Sequence, residues 1–308
     1  IFSYYVVYLV LIKHQSKKVF VKMQLEIFFK LFEVVFPVFL VIWIGYWFGK
    51  KNPNFKSDII TEFAGKIGVP ALLFYSLAAS KTLDFSTFVQ FGLYTFIFVG
   101  CFSILGILVL KLLKRDPVSE LSPLILPNTG NLGLPICLFA YGEKGFSIAS
   151  SIAAIIMLLH FTLGIFIASK QFSLKPLIKS IPMHVLLISG FMLYFDLKPP
   201  IFLVNTTMLL GYSTIFLILA SLGIALSNLQ TKNIKSNLII SIVRLMSGPI
   251  VALLIIYIFD LKSYEAGVLF ICASMPSAIL NFLLAKMYSK KTHSDNIASV
   301  IVISTTLS

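Results

Sequence analysis

The stretch Leu126-Pro127-Asn128-Thr129-Gly130-Asn131-Leu132-Gly133-Leu134-Pro135 puts two prolines, two glycines, two asparagines and a threonine inside an apolar run over residues 119–140. Proline lacks a backbone N–H and clashes with the preceding turn, so it kinks or breaks a helix. Unwound backbone at membrane depth is tolerated only where it is buried in protein or lines a cavity. What this stretch means therefore depends on its surroundings, and composition identifies them as hydrocarbon. The chain has 308 residues, 58% hydrophobic and 12% charged, with a mean hydropathy of +0.96. Soluble domains carry roughly 25% charged residues. That excludes an ordinary cytosolic enzyme, a disordered protein and a small secreted scaffold.

Polar punctuation cuts the chain into ten apolar stretches: 31–48, 59–79, 88–110, 119–140, 147–168, 181–195, 203–226, 238–259, 264–285 and 296–308. Most are close to the ~20 residues a bilayer helix requires. The net charge is +13, from 25 Lys and Arg against 12 Asp and Glu, and its distribution speaks for a membrane chain and against a nucleic-acid partner. Odd-numbered connectors hold Lys50, Lys51, Lys56, Lys111, Lys114, Arg115, Lys170, Lys175, Lys179, Lys232, Lys235, Lys286, Lys290 and Lys291; even-numbered ones hold Lys81, Lys144, Lys198 and Lys262. The positive-inside bias then puts the odd connectors in the cytoplasm and both termini outside.

The ends fit less well. Ile1–Ile12 is apolar but too short to span, and Lys13, Lys17, Lys18 and Lys22 would sit outside against the charge bias. Residues 1–22 are therefore read as a doubtful N-terminal extension, with a start at Met23 removing the conflict. The last stretch, 296–308, reaches only about 20 Å as a helix and reads as truncated. Cys101, Cys137 and Cys272 read as buried small hydrophobes.

Ten spans divide into repeats at 23–168 and 181–308, joined by a cytoplasmic connector at 169–180. Pro127 and Pro276 lie 149 residues apart, and the same offset carries Phe88 to Asn237 and Ser147 to Asn296. The second break is Cys272-Ala273-Ser274-Met275-Pro276-Ser277-Ala278-Ile279-Leu280-Asn281. The expected fold is an all-α polytopic membrane protein: ten transmembrane helices as a 5+5 inverted repeat with two broken, crossing helices.

Each half-helix that begins at a break carries roughly +0.5 of an elementary charge and several free N–H groups. Such a point attracts an anion without a formal cation. The expected binding set is Pro127, Asn128, Thr129, Gly130 and Asn131 with Ser274, Pro276, Ser277 and Asn281, and a carboxylate suits it best. Lys66 and Arg244 are expected to snorkel to the interface. Glu62 and Lys66, four residues apart, can pair; with His160, near the middle of the fifth span, they are candidates for a proton or gating role. No GxSxG, HExxH or P-loop motif occurs, so the reading is no enzyme, no catalytic set, no metal and no cofactor.

The run Pro127–Pro135 resembles the auxin efflux carrier family of membrane transporters, which includes bacterial permeases, plant PIN-FORMED and PIN-like proteins. Met275–Tyr288 is similar to the ninth-span signature of bacterial members, and Val69-Pro70-Ala71-Leu72-Leu73-Phe74 also fits. The resemblance implies a sodium/proton-antiporter-like fold shared with bile-acid and auxin transporters. It implies a scaffold of spans 1, 2, 6 and 7, a mobile crossover group of spans 3–5 and 8–10, elevator-type movement, and a homodimer. It also implies that Asn128, after the first crossover proline, contacts a substrate carboxylate. Gly130 stands where PIN-FORMED proteins have Tyr and the 169–180 connector is short, which favours small organic acids such as malate or malonate over auxin. The expectation is a secondary carrier for a small organic anion in the bacterial inner membrane. The alternatives are a sodium-coupled symporter of bile-acid type and a carboxylate-binding sensor module that does not transport.

Overall fold

The computed structural model describes residues 17–55, 58–116, 118, 120–172, 175–229 and 233–308. The first sixteen residues, Lys13 among them, and Lys56 and Lys232 of the charge pattern lie outside these. Backbone in hydrocarbon must satisfy its own hydrogen bonds, and this chain does so with helices. Among the described residues no strand forms beyond one isolated antiparallel bridge between Pro127 and Ser277.

The first helix, α1, runs Lys17–Lys51 and carries Pro37 without interruption; Met23 lies inside it. The second element comprises α2 (Asp58–Phe63), a π-helical turn (Ala64–Gly68) and α3 (Val69–Leu77). Next comes α4, Phe85–Leu112, capped by Asp84, whose Oδ1 accepts from the Thr87 N–H at 2.7 Å. That bond holds the Asp84 carboxyl below its ordinary range. The fourth stretch is interrupted: α5 (Ser122–Ile125) ends at Leu126, and a π-helical turn (Thr129–Gly133) restarts the helix as α6, Leu134–Leu159. Within that last range the helix is interrupted by a kink at Gly142, with φ 63° and ψ −155°, a conformation essentially reserved for glycine.

A third π-helical turn (His160–Gly164) leads to α7, Ile165–Ser169, and a short α8, Lys175–Ile178, follows. The rest are α9 (Ile181–Tyr194), α10 (Ile201–Asn228), α11 (Ile234–Ile258), α12 (Ser263–Ser274), α13 (Ile279–Tyr288) and α14 (Lys291–Leu307). Among the described residues, five stretches are long and apolar enough to cross a membrane, and four apolar helices are shorter. Phe28, Phe29, Phe32, Trp43 and Trp47 of α1 are exposed, as suits a helix that meets lipid. The molecule is a multi-pass membrane protein.

The helices sort into two packing groups. In one, α10 lies along α1 and against α3, and α3 also meets α9. In the other, α11 packs on α4, α12 and α14, α12 packs on α6, and α13 packs on α14 and α7. Narrower contacts join the groups: α6 against α3 and α1, and the Thr129–Gly133 turn against α10.

The α1–α10 seam is backbone to backbone. A Cβ on Gly45 would lie 2.2 Å from the Ala220 carbonyl oxygen, and one on Gly223 would lie 2.0 Å from that of Ile42. Helices in lipid associate through such close approach of small residues, because no hydrophobic drive separates them from the solvent. A valine at either glycine cannot be accommodated by a side-chain rotation, so the helices must part. Gly223→Val is expected to destabilise the folded protein by about 1–3 kcal/mol, read as a lower melting temperature in detergent, whereas Gly65→Val, at a position with open space around its Cβ, is expected to cost much less.

Candidate functional site

The two breaks have the same local cause. A residue before proline is pushed out of the helical region toward extended backbone. Leu126 accordingly adopts φ −110° and ψ 97°, and Met275 adopts φ −59° and ψ 146°. The freed segments pair with each other: the Asn128 N–H donates to Pro276 O at 2.8 Å, and the Ala278 N–H donates to Leu126 O at 3.3 Å. The local two-fold passes between Pro127 and Ser277, one residue out of step with the proline-to-proline offset.

Arg244 of α11 does not snorkel. Its side chain is fully buried and reaches the carbonyl ends of both interrupted helices. Nη2 donates to Ala273 O at 2.7 Å and to Met275 O at 2.9 Å; Nε donates to Met275 O at 3.2 Å; Nη1 donates to Leu124 O at 3.2 Å. The guanidinium lies 4.4 Å from the centroid of the Phe102 ring. Gly248, one turn along α11, permits this approach, since a Cβ there would lie 2.5 Å from Ala273 O. The sequence did carry a signal: an arginine with no acidic partner inside an apolar span, and a glycine four residues later on the same helix face.

The restarting ends are left open. Neither the Thr129–Gly133 turn nor α13 has a side-chain N-cap. Around them, Asn128 is 3% and Thr129 1% exposed, and Asn128 Nδ2, Thr129 Oγ1, Ser274 Oγ and Thr305 Oγ1 lack hydrogen-bond partners. Gly130 and Asn131 are half-buried, with open space beside Gly130. A cavity of about 400 Å³ reaches the crossing at Ser274, Met275 and Pro276, and is otherwise walled largely by apolar residues of α1, α6 and α12.

Ser277 and Asn281 have partners within the crossing itself. Asn281 Nδ2 donates to Leu126 O at 3.0 Å and to Ser277 Oγ at 3.2 Å. The Ser277 N–H donates to Ser304 Oγ of α14 at 3.3 Å. These groups hold the crossing together. Ser304, which the sequence reading passed over, belongs to the same set.

His160 is 3% exposed, beside Asn281, with Nδ1 2.9 Å from Ile156 O. Glu62 and Lys66 pair with each other at the surface, their side chains 61% and 65% exposed, and do not join the crossing. Lys66 has a motif-level counterpart nonetheless. Ala64-Gly65-Lys66-Ile67-Gly68-Val69-Pro70 and Thr129-Gly130-Asn131-Leu132-Gly133-Leu134-Pro135 share Gly-x-x-Gly-x-Pro, and both form π-helical turns. Pro70 and Pro135 cannot donate to the carbonyl four residues back, so the turn before each widens.

Residues 30–176 and 176–308 match the family described as membrane transport protein. The chain is also similar to the uncharacterized transporter MJ1031 of Methanocaldococcus jannaschii, at 30% identity over 299 residues, covering 90% of this chain and 94% of that protein.

The Arg244 geometry sets an expectation for stability. Arg244→Leu strands three buried carbonyls and is expected to destabilise the protein by on the order of 3 kcal/mol or more. Arg244→Lys, which keeps the charge but loses the fork, should fall between. Thermal melts of the two variants in detergent check the order; a leucine variant as stable as the parent would remove Arg244 from this role.

Proposed function

The chain belongs to the auxin efflux carrier-like family of membrane transport proteins, and from that premise we propose that it is a secondary carrier for a small organic anion, a carboxylate first of all. The observation that carries this reading is the electrostatics of the crossing. Arg244 satisfies the carbonyl ends of α5 and α12, while the N–H ends of the restarting helices have no side-chain cap. The positive ends of the dipoles are thus the uncompensated ones. Asn128 Nδ2 and Thr129 Oγ1 stand unpartnered beside one of them. A carboxylate fits this environment: it accepts several N–H and O–H bonds and brings the missing negative charge. Neutral donors bind it less tightly than an arginine fork would, which suits a carrier that must let go.

On this reading Pro127, Asn128, Thr129, Gly130 and Asn131, with Ser274, Pro276, Ser277 and Asn281 around them, form the site. The ten stretches constitute a 5+5 inverted repeat with its connector at 169–180. The two packing groups and their narrow join support an elevator-type displacement, α4–α7 and α11–α14 moving against α1–α3, α9 and α10. The protein sits in the cytoplasmic membrane with both termini outside, working as a homodimer. A proton gradient, exchange, or the anion gradient with the membrane potential supplies the energy.

Asn128→Ala is the direct test. Loss of a buried hydrogen bond to a charged group costs about 1.5–3 kcal/mol, so malate or malonate flux in proteoliposomes should fall about ten- to a hundredfold while the melting temperature stays near that of the parent. Parent-like flux would refute the site. Saturable binding with no counterflow in the parent protein would refute transport and favour a sensor.

A further inference from the structure

The orientations of His160 and Asn281 are each fixed by a backbone carbonyl, and what they leave over does not match. A carbonyl oxygen only accepts, so the Nδ1···Ile156 O contact at 2.9 Å places the proton of the neutral imidazole on Nδ1. Nε2 is then a bare acceptor. Asn281 must turn its amide NH2 toward Leu126 O and Ser277 Oγ, which leaves Oδ1 as its spare atom, also an acceptor. His160 and Asn281 are neighbours, and both Nε2 and Oδ1 are buried without a partner. Two adjacent buried acceptors with no donor between them are a site for a proton.

We infer that His160 is the proton-binding residue of this protein: Nε2 takes up a proton, Asn281 Oδ1 accepts the resulting N–H, and the crossing gains one positive charge. The link to the anion site is short, because the other end of Asn281 holds Leu126 O, two residues from Asn128. The elements packed on the His160–Gly164 turn are α6, α7, α8 and α13. Their ionisable side chains are Cys137, Tyr141, Glu143 and Lys144 at the far end of α6, Lys175 of α8, and the exposed Lys286 and Tyr288 of α13. None of these is a carboxylate beside the imidazole. Across the break, Arg244 reaches the same short helix through Leu124 O. A second positive charge in so dry a place is disfavoured by the first. An anion bound at Asn128 offsets both, so proton and anion favour each other's binding, and by reciprocity to the same degree.

The test uses the full chain in lipid nanodiscs with 15N-labelled histidine, the His160 signal being assigned in a protein whose other histidines (His14, His184 and His293) are replaced by Gln. Lowering the pH should convert His160 from the Nδ1–H tautomer to the imidazolium while the protein remains folded, and saturating malate should move that midpoint upward. A ring that stays neutral until the protein unfolds overturns the proposal. The malate-dependent part rests on the carrier reading above. There, malate affinity should fall about tenfold per pH unit above the midpoint, and calorimetry in buffers of different ionisation enthalpy should show close to one proton taken up per malate. His160→Gln should flatten that dependence and abolish the uptake; an unchanged proton count in the variant overturns the proposal. If the parent binds no malate at any pH, the malate reading of the site fails, and the ligand-free titration alone decides whether His160 binds the proton.

Discussion

A proline in the middle of an apolar helix frees carbonyls that lipid cannot hydrogen-bond, and this chain does so twice at one place. Each bare carbonyl in hydrocarbon costs several kcal/mol, so the breaks cannot persist without a donor. Arg244 supplies it for both. Burying a guanidinium carries a penalty of several kcal/mol. Four charge-assisted contacts to Leu124, Ala273 and Met275, worth about 1.5–3 kcal/mol each, and the face of Phe102 are enough to offset it. The pairing of Asn128 with Pro276 and of Ala278 with Leu126 ties the two breaks together. Everything else at the crossing follows from its backbone being held this way.

The same arginine decides the sign of the site. Two interrupted helices offer two carbonyl ends and two N–H ends, and uncapped they would nearly cancel. With the carbonyl ends occupied by a cation, the remaining polarity is positive. On the carrier reading proposed above, that polarity disfavours a cation as cargo. Most of the chain's basic residues belong to the connectors, whereas Arg244, buried inside a span, is the charge that reaches the crossing.

Much of the architecture was legible in the sequence because hydrocarbon imposes a simple rule on length and polarity. The positions of the helices and of both breaks follow from apolar runs and prolines. Boundaries were less legible: the last helix begins at Lys291, not at 296, since polar residues extend a helix once its turn is nucleated. Arg244 was misread because distance along a helix says nothing of which way the side chain points, and the groove beneath Gly248 exists only after folding. That Asn281 can donate was legible from residue type; that its amide engages Leu126 O was not. Which carbonyl claims an amide is set by a segment some 155 positions away. The shared Gly-x-x-Gly-x-Pro of the second and fourth stretches was readable, and only the π-helical turns give it meaning.

The two breaks share a non-helical residue before proline and differ in what their side chains hold. The local two-fold through Pro127 and Ser277 relates Asn131 to Asn281, since each asparagine follows its bridge residue by four positions. Asn281 spends its amide on Leu126 O and is buried; Asn131 is half-buried beside open space at Gly130. A symmetric arrangement would tie both asparagines down and leave no donor for cargo, or free both and leave the crossing untied. Dividing the roles gives one break that fastens and one that faces outward from the fastening. Because the fastening asparagine also carries the acceptor that faces His160, any change of charge there is felt at the backbone that holds the open half. On the carrier reading, this asymmetry around the Pro127–Ser277 bridge is what would let the crossing be rigid and still respond to a bound anion.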